Sequence, residues 1–150
     1  MSIESDINQS KFASEHRKAN VNLVYTYYWV IERQKKVIEE FGLTMQQFNI
    51  LRILRGNRAP LSTLQIRDRM IYKMSDTSRI VDRLLIKDLV KKVPSKTDKR
   101  MVDISITKKG LKLLTESDVE EYRLDNVSSK LTTTEAKQLS RLLEKMRSLD

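Results

Sequence analysis

Residues 75–110 read SDTSRIVDRLLIKDLVKKVPSKTDKRMVDISITKKG, and the fold turns on this stretch. Ser75 is a good helix cap, and a helix from there to about Lys87 puts Thr77, Ile80, Val81 and Leu84 on one inward face. Ser75, Asp76, Ser78, Arg79, Asp82 and Arg83 are left on the other faces. Leu89 to Val93 then reads as a short strand, followed by the polar, basic connection from Pro94 to Arg100. From Met101 to Ile106 the residues alternate, with Val102, Ile104 and Ile106 on one face and Asp103 and Ser105 on the other. A hairpin with a basic tip directly after a polar-faced helix is a wing. An ordinary solvated hairpin is the plainer reading, but the clustered basic residues and the place in the chain favour the wing.

Upstream, Ser62 and Gln65 form a capping box that opens a third helix, with Leu64, Ile66 and Met70 on its apolar side. A short turn joins it to the helix at Ser75, which makes the pair a helix-turn-helix. Before it, Thr44 and Gln47 form another capping box; Phe48, Leu51, Ile53 and Leu54 follow, Gly56 ends the helix, and Pro60-Leu61 makes an extended connection. The first helix is expected from Ser10 to Phe41, on a stripe of Phe12, Val21, Val24, Tyr28, Ile31, Val37, Ile38 and Phe41, with Gly42 as its stop.

Downstream, Thr107 caps a fifth helix carrying Leu111, Leu114, Val119, Tyr122 and Val127. Thr132 and Glu135 open a sixth, with Leu139, Leu142, Leu143 and Met146. The first, fifth and sixth helices carry more apolar surface than so small a unit can bury, so a second copy of the chain is the expected cover. The fold class is therefore mainly α with a small β-wing. A winged helix-turn-helix lobe at residues 43–107 is flanked by dimerisation helices at 1–42 and 108–150.

Composition narrows the chemistry. The 150 residues carry a formal charge of +9, which suits a polyanionic partner once it lies beside an element that fits a groove. There is no Cys, so disulfides, thiolate metal sites and thiol redox sensing are excluded, and the single His, His16, reads as a solvated helix residue. No metal or cofactor is expected. An enzyme is disfavoured: there is no glycine-rich phosphate loop, no Cys nucleophile and no Ser–His arrangement, and Glu39-Glu40 and Glu120-Glu121 read as solvated faces. The N-terminus MSIESDINQS lacks an apolar signal core and no run reaches membrane-spanning length, so a cytoplasmic protein is expected.

The order of elements resembles the MarR family of multiple-antibiotic-resistance-type regulators. The most specific segment is Asp98-Lys99-Arg100 followed by a strand and Ile106-Thr107-Lys108-Lys109-Gly110, where the family has Asp-x-Arg, a strand and Leu-Thr-x-x-Gly. Ser78 to Leu84 with Lys87-Asp88-Leu89-Val90, and Leu43-Thr44 with Phe48 and Leu51, match as well. Three departures stand out. Asp88 replaces the usual Gly before the strand, at a position expected to need a left-handed backbone, which Asp tolerates better than most residues. Arg67 replaces a small residue, and the turn from Ile71 to Lys73 has no Gly.

The resemblance implies a dimeric regulator of double-stranded DNA, and the chemistry of the residues agrees. Ser75, Ser78 and Arg79 are expected at base edges in the major groove, with Asp76 able to accept from a cytosine amino group. Arg83 and Lys73 suit phosphates, as do the backbone N–H groups at Ser62 and Thr63. By resemblance, Arg100 enters the minor groove at the wing tip and Asp98 orients it; Lys96 and Lys99 add sequence-independent attraction. Arg79 and Arg83 have a plainer reading, as surface arginines paired with Asp76 and Asp82. The family also binds small aromatic or phenolic acids between the dimerisation helices and the DNA-binding lobes. Tyr25, Tyr27, Tyr28, Trp29 and Arg52 are the candidates to line such a pocket, and packing explains the aromatic residues equally well. Two other functions fit the same sequence: a winged-helix protein-interaction module, and a non-specific architectural DNA binder.

Overall fold

The computed structural model describes residues 2–72, 76–95, 102–118 and 120–148, with the main chain alone at 121 and 122. Its helices are α1 (Ile3–Asp6), α2 (Glu15–Glu40), α3 (Met45–Gly56), α4 (Thr63–Arg69) and α5 (Thr77–Ile86); strands β1 (Val90–Pro94) and β2 (Val102–Ile106) follow, then α6 (Lys108–Asp118), α7 (Glu121–Asp125), a 3-10 turn (Asn126–Ser128) and α8 (Thr133–Arg147). Mainly helical structure with one small hairpin is the expected fold class.

The capping boxes sit where the sequence puts them. Thr44 accepts from the Gln47 amide at 3.2 Å and its own amide donates to Gln47 Oε1 at 3.1 Å. Ser62 and Gln65 repeat the exchange at 3.2 and 2.9 Å, and Thr132 with Glu135 does so at α8. Helix ends are equally explicit. Gly42, at φ +67°, and Asp88, at φ +58°, each follow a helix in the left-handed conformation. At both, the next residue's amide reaches back a full turn and a half, Leu43 to Ile38 O and Leu89 to Leu84 O. Asp88 thus does the work of a glycine, as its place in the sequence demands.

Two expected helices differ. α2 starts at Glu15 rather than Ser10, because Ser14 accepts from the Arg17 amide and caps it there; the residues before it form the separate turn α1, closed by its own Ser2–Ser5 capping box. Phe12 therefore lies outside the helix. The fifth helix is broken: α6 ends at Asp118 and a second, short helix follows. Ser117 turns its hydroxyl back onto Leu114 O at 2.8 Å, and Asp118 is held by Arg55 of α3 through two bonds of 2.5 and 3.0 Å. That guanidinium holds the Asp118 carboxyl below its ordinary range.

The core lies between α3, α4, α5, the hairpin and α6. Ile50, Leu51, Ile66, Leu84, Ile104 and Leu114 are all fully buried in it. The hairpin pairs Val90 with Ile106 and Pro94 with Val102, and Leu61 bridges to Ile104 through both main-chain bonds, at 3.0 and 2.8 Å, so the connection before α4 acts as a third strand. Val102 is exposed although it shares a face with Ile104, because it lies at the far end of the hairpin, beyond the reach of the core.

One junction ties the hairpin to α5 and α6. The Thr107 hydroxyl donates to Asp88 O at 2.8 Å and accepts from the Gly110 amide at 3.0 Å. Gly110 rests against this junction so closely that an added Cβ would collide with Leu89 O and come within 2.8 Å of Ile106 Cγ1. Gly110→Ala should therefore lower stability by about 1–3 kcal/mol, since the obstacle is main chain and cannot step aside. Urea unfolding checks this, and Gly56→Ala, which meets nothing within 4 Å, is the control.

Candidate nucleic-acid interface

The helix-turn-helix is built from α4 and α5, which pack on each other; Ile66 of α4, Met70 at its end, and Thr77, Val81 and Leu84 of α5 are buried. Two polar contacts hold the pair in place, one buried and one exposed. The Thr77 hydroxyl contacts Met70 Sδ at 3.5 Å, and the Ile71 amide donates to Asn49 Oδ1 of α3 at 3.1 Å, which anchors the start of the turn without a glycine.

α5 is capped by Asp76, one residue beyond the expected Ser75: Asp76 Oδ1 accepts from the Arg79 amide at 3.2 Å. A carboxylate here also meets the positive end of the helix dipole. Ser78, Arg79 and Arg83 are exposed on the outer face, with Arg79 and Arg83 one turn apart. Neither guanidinium has an ion-pair partner among the described residues. Asp76 is engaged with the main chain, and Asp82 pairs with Lys92 of β1 at 3.7 Å. The plainer reading of the two arginines, as local salt bridges, does not describe this surface.

The N-termini of α4 and α5 open on a shared cleft of about 300 Å³, lined by Thr63, Leu64, Arg67, Asp76, Thr77 and Ser78. It brings together Thr63, Asp76 and Ser78, which the sequence singles out, with Ser62 at the adjoining cap. It also adds Leu64 and Arg67. Leu64 was expected on the apolar side of α4 but is 55% exposed. Arg67 stands one helical turn after Thr63, a spacing that signals a shared face, but nothing in the sequence shows that α5 meets that face. The expected contacts Lys73, Ser75, Lys96, Asp98, Lys99 and Arg100 lie outside the described residues.

The expected effector residues are spread over α2 and α3. Tyr25, Tyr27 and Tyr28 are 38%, 51% and 63% exposed. Tyr27 and Tyr28 meet edge to face, Arg33 stacks over Trp29 at 3.7 Å, and Arg52 lies 5.7 Å from the Phe48 ring. None of the five lines the cleft between the α4 and α5 N-termini. No group of metal-ligating side chains occurs among the described residues, and no described helix is long and apolar enough to cross a membrane.

Loss of the Asp76 cap should destabilise α5 directly. Asp76→Ala is expected to cost about 0.5–2 kcal/mol in urea unfolding, and Asp76→Asn, which keeps the acceptor, clearly less.

Known proteins agree with this geometry. The MarR family pattern matches residues 41–101. The HTH-type transcriptional regulator MgrA of Staphylococcus aureus is 30% identical over 111 residues, covering 74% of each chain. Among solved structures, a variant of E. coli MarR in complex with operator DNA has a TM-score of 0.78 at 20% identity, covering 93% of this chain and 100% of the other. Bordetella bronchiseptica BpsR, whose DNA binding is regulated by 6-hydroxynicotinic acid, has a TM-score of 0.75 at 21% identity, covering 94% and 100%. These structures share the fold, and the named relative is a regulator of transcription, not an enzyme. The chain belongs to the MarR family of winged helix-turn-helix transcription regulators.

Proposed function

We propose that this protein is a repressor that binds a palindromic operator as a homodimer in the cytoplasm and is released by a small organic acid. The observation that carries this reading is the exposed face of α5, where Arg79 and Arg83, without an ion-pair partner among the described residues, stand on the helix whose N-terminus opens on the cleft. In this reading the lobe at 43–107 grips DNA. Ser75, Ser78 and Arg79 read base edges, with Asp76 beside them. Arg83, Lys73, Ser62 and Thr63 hold phosphates. Arg100, oriented by Asp98, enters the minor groove, flanked by Lys96 and Lys99.

Residues 1–42 and 108–150 pair the two copies. α8 supports this, since it buries none of its side chains and leaves Leu139, Leu142 and Met146 about half exposed. α2 likewise buries only Val37 and Ile38 of its 26 residues. The operator complex of the E. coli relative and the regulated relative from Bordetella support DNA binding and ligand release in turn. In this reading Tyr25, Tyr27, Tyr28, Trp29 and Arg52 meet an aromatic or phenolic acid, with a second copy of the chain completing the pocket.

Binding is tested on a duplex selected from random DNA and on an unrelated duplex. Arg79→Ala should cost about 1–3 kcal/mol on the selected duplex and relax one position per half-site. Arg83→Ala should weaken both duplexes alike and reduce the salt slope by about one. Equal loss on both duplexes for Arg79→Ala, with base preference intact, would remove α5 as the reader. Sedimentation should show two chains per particle, and Leu139→Asp with Leu142→Asp should leave folded monomers, because these side chains are exposed in one chain and buried only by its partner. A wild-type monomer that still binds the selected duplex tightly would overturn the dimer.

A further inference from the structure

One guanidinium lines the cleft between α4 and α5. Arg67 of α4 shares that cleft with Thr63 on its own helix and with Asp76 and Ser78 at the start of α5. Its ion pair among the described residues is weak. Nε lies 4.0 Å from Asp68, at the limit of such a contact, and both side chains are more than half exposed. An exposed pair of that length contributes little, so the guanidinium leaves it at small cost for a stronger anion.

The direction of the side chain follows from helix geometry. Helical side chains lean toward the N-terminus of their own helix, and residues four apart lie one above the other. Arg67 therefore carries its charge back toward Thr63, at the end of α4 that opens on the cleft. Thr63 and Ser78 bring hydroxyl groups from the two walls. Asp76, the one carboxylate among the lining residues, is already engaged: it accepts from the Arg79 amide at 3.2 Å and sits at the positive end of α5.

Size decides what Arg67 meets. A helix with its side chains is about 10–12 Å across, and the major groove of B-DNA is about 12 Å wide. One helix fills such a groove. A charge borne by the neighbouring helix, beside the start of α5, stays outside it, at the edge where the phosphates run. We propose that Arg67 holds a DNA phosphate at the edge of the groove that α5 enters. This rests on the reading of α5 as the helix in the groove. The contact carries no base preference of its own; it fixes how α5 lies along the groove, and hence which bases Arg79 reaches.

The test uses the full chain in salt titrations on the selected duplex and on an unrelated one. Arg67→Ala should weaken both by roughly ten-fold per bound chain and reduce the salt slope by about one per chain. Arg67→Lys should keep the slope and most of the affinity, because a phosphate also accepts a point charge. The phosphates of one half-site are then replaced, one at a time, by neutral methylphosphonate. One replacement should weaken the wild type by roughly ten-fold and Arg67→Ala hardly at all. Each such comparison is made within one variant, so a change in stability does not blur it. The proposal is overturned if every replacement costs the two proteins the same, if Arg67→Ala keeps the full slope, or if its loss is confined to the selected duplex with altered base preference. Arg79→Ala and Arg83→Ala report on α5 separately. If they weaken binding and Arg67→Ala does not, this contact alone fails; if none of the three does, the reading of α5 fails with it.

Discussion

The structure depends on the crossing of main chain at Leu89 and Gly110. Leu89 O accepts the Thr107 amide at 3.0 Å and lies directly beneath the Gly110 Cα, where no side chain fits. The Thr107 hydroxyl bonds the turn at Asp88 and the first turn of α6 at once. The end of α5, the base of the hairpin and the start of α6 therefore meet at one point with little freedom. A rigid junction of this kind sets the angle between an exposed helix face and a hairpin, and a protein that reads a DNA groove needs both fixed before it binds.

The same economy governs the helix pair. Apolar burial holds α4 against α5, but apolar contacts alone leave rotation cheap. Thr77 against Met70 Sδ and the Ile71 amide on Asn49 are directional, and they fix the orientation in which α5 presents its outer face. Asp76 is engaged at the helix cap and Asp82 with Lys92, which keeps the local acids off Arg79 and Arg83. A guanidinium with no ion-pair partner among the described residues is available to a base edge or phosphate without first breaking a salt bridge to them.

The arm is organised by charge where the lobe is organised by packing. Arg123 grips Glu40 through two bonds of 2.7 and 2.8 Å and Glu120 at 3.1 Å, which ties α7 to the end of α2. It holds the Glu40 carboxyl below its ordinary range, while its own ionisation is pushed upward by the same contacts. Arg55 with Asp118 makes the matching tie between α3 and α6. Beyond these ties, α8 packs little against its own chain, and Leu139 and Leu142 on it are exposed.

Local chemistry was legible in the sequence because it acts over three or four residues. The capping boxes at Thr44, Ser62 and Thr132 each need only a short polar side chain and its partner one turn on. The left-handed turn at Asp88 and the stop at Gly42 follow from the same short-range rules, and the alternation of β2 from its period. What acts over dozens of residues had to come from the tertiary structure. Asp118 finds Arg55 63 positions away, and the charge on Arg123 finds Glu40 across 83. Glu40 therefore reads as a solvated face until α7 is brought beside it. The joining of Thr63, Arg67 and Ser78 around one cleft likewise exists only once separate helices pack. Periodicity assigns each residue a face of its own element, but which face meets which is settled by burial of the whole core.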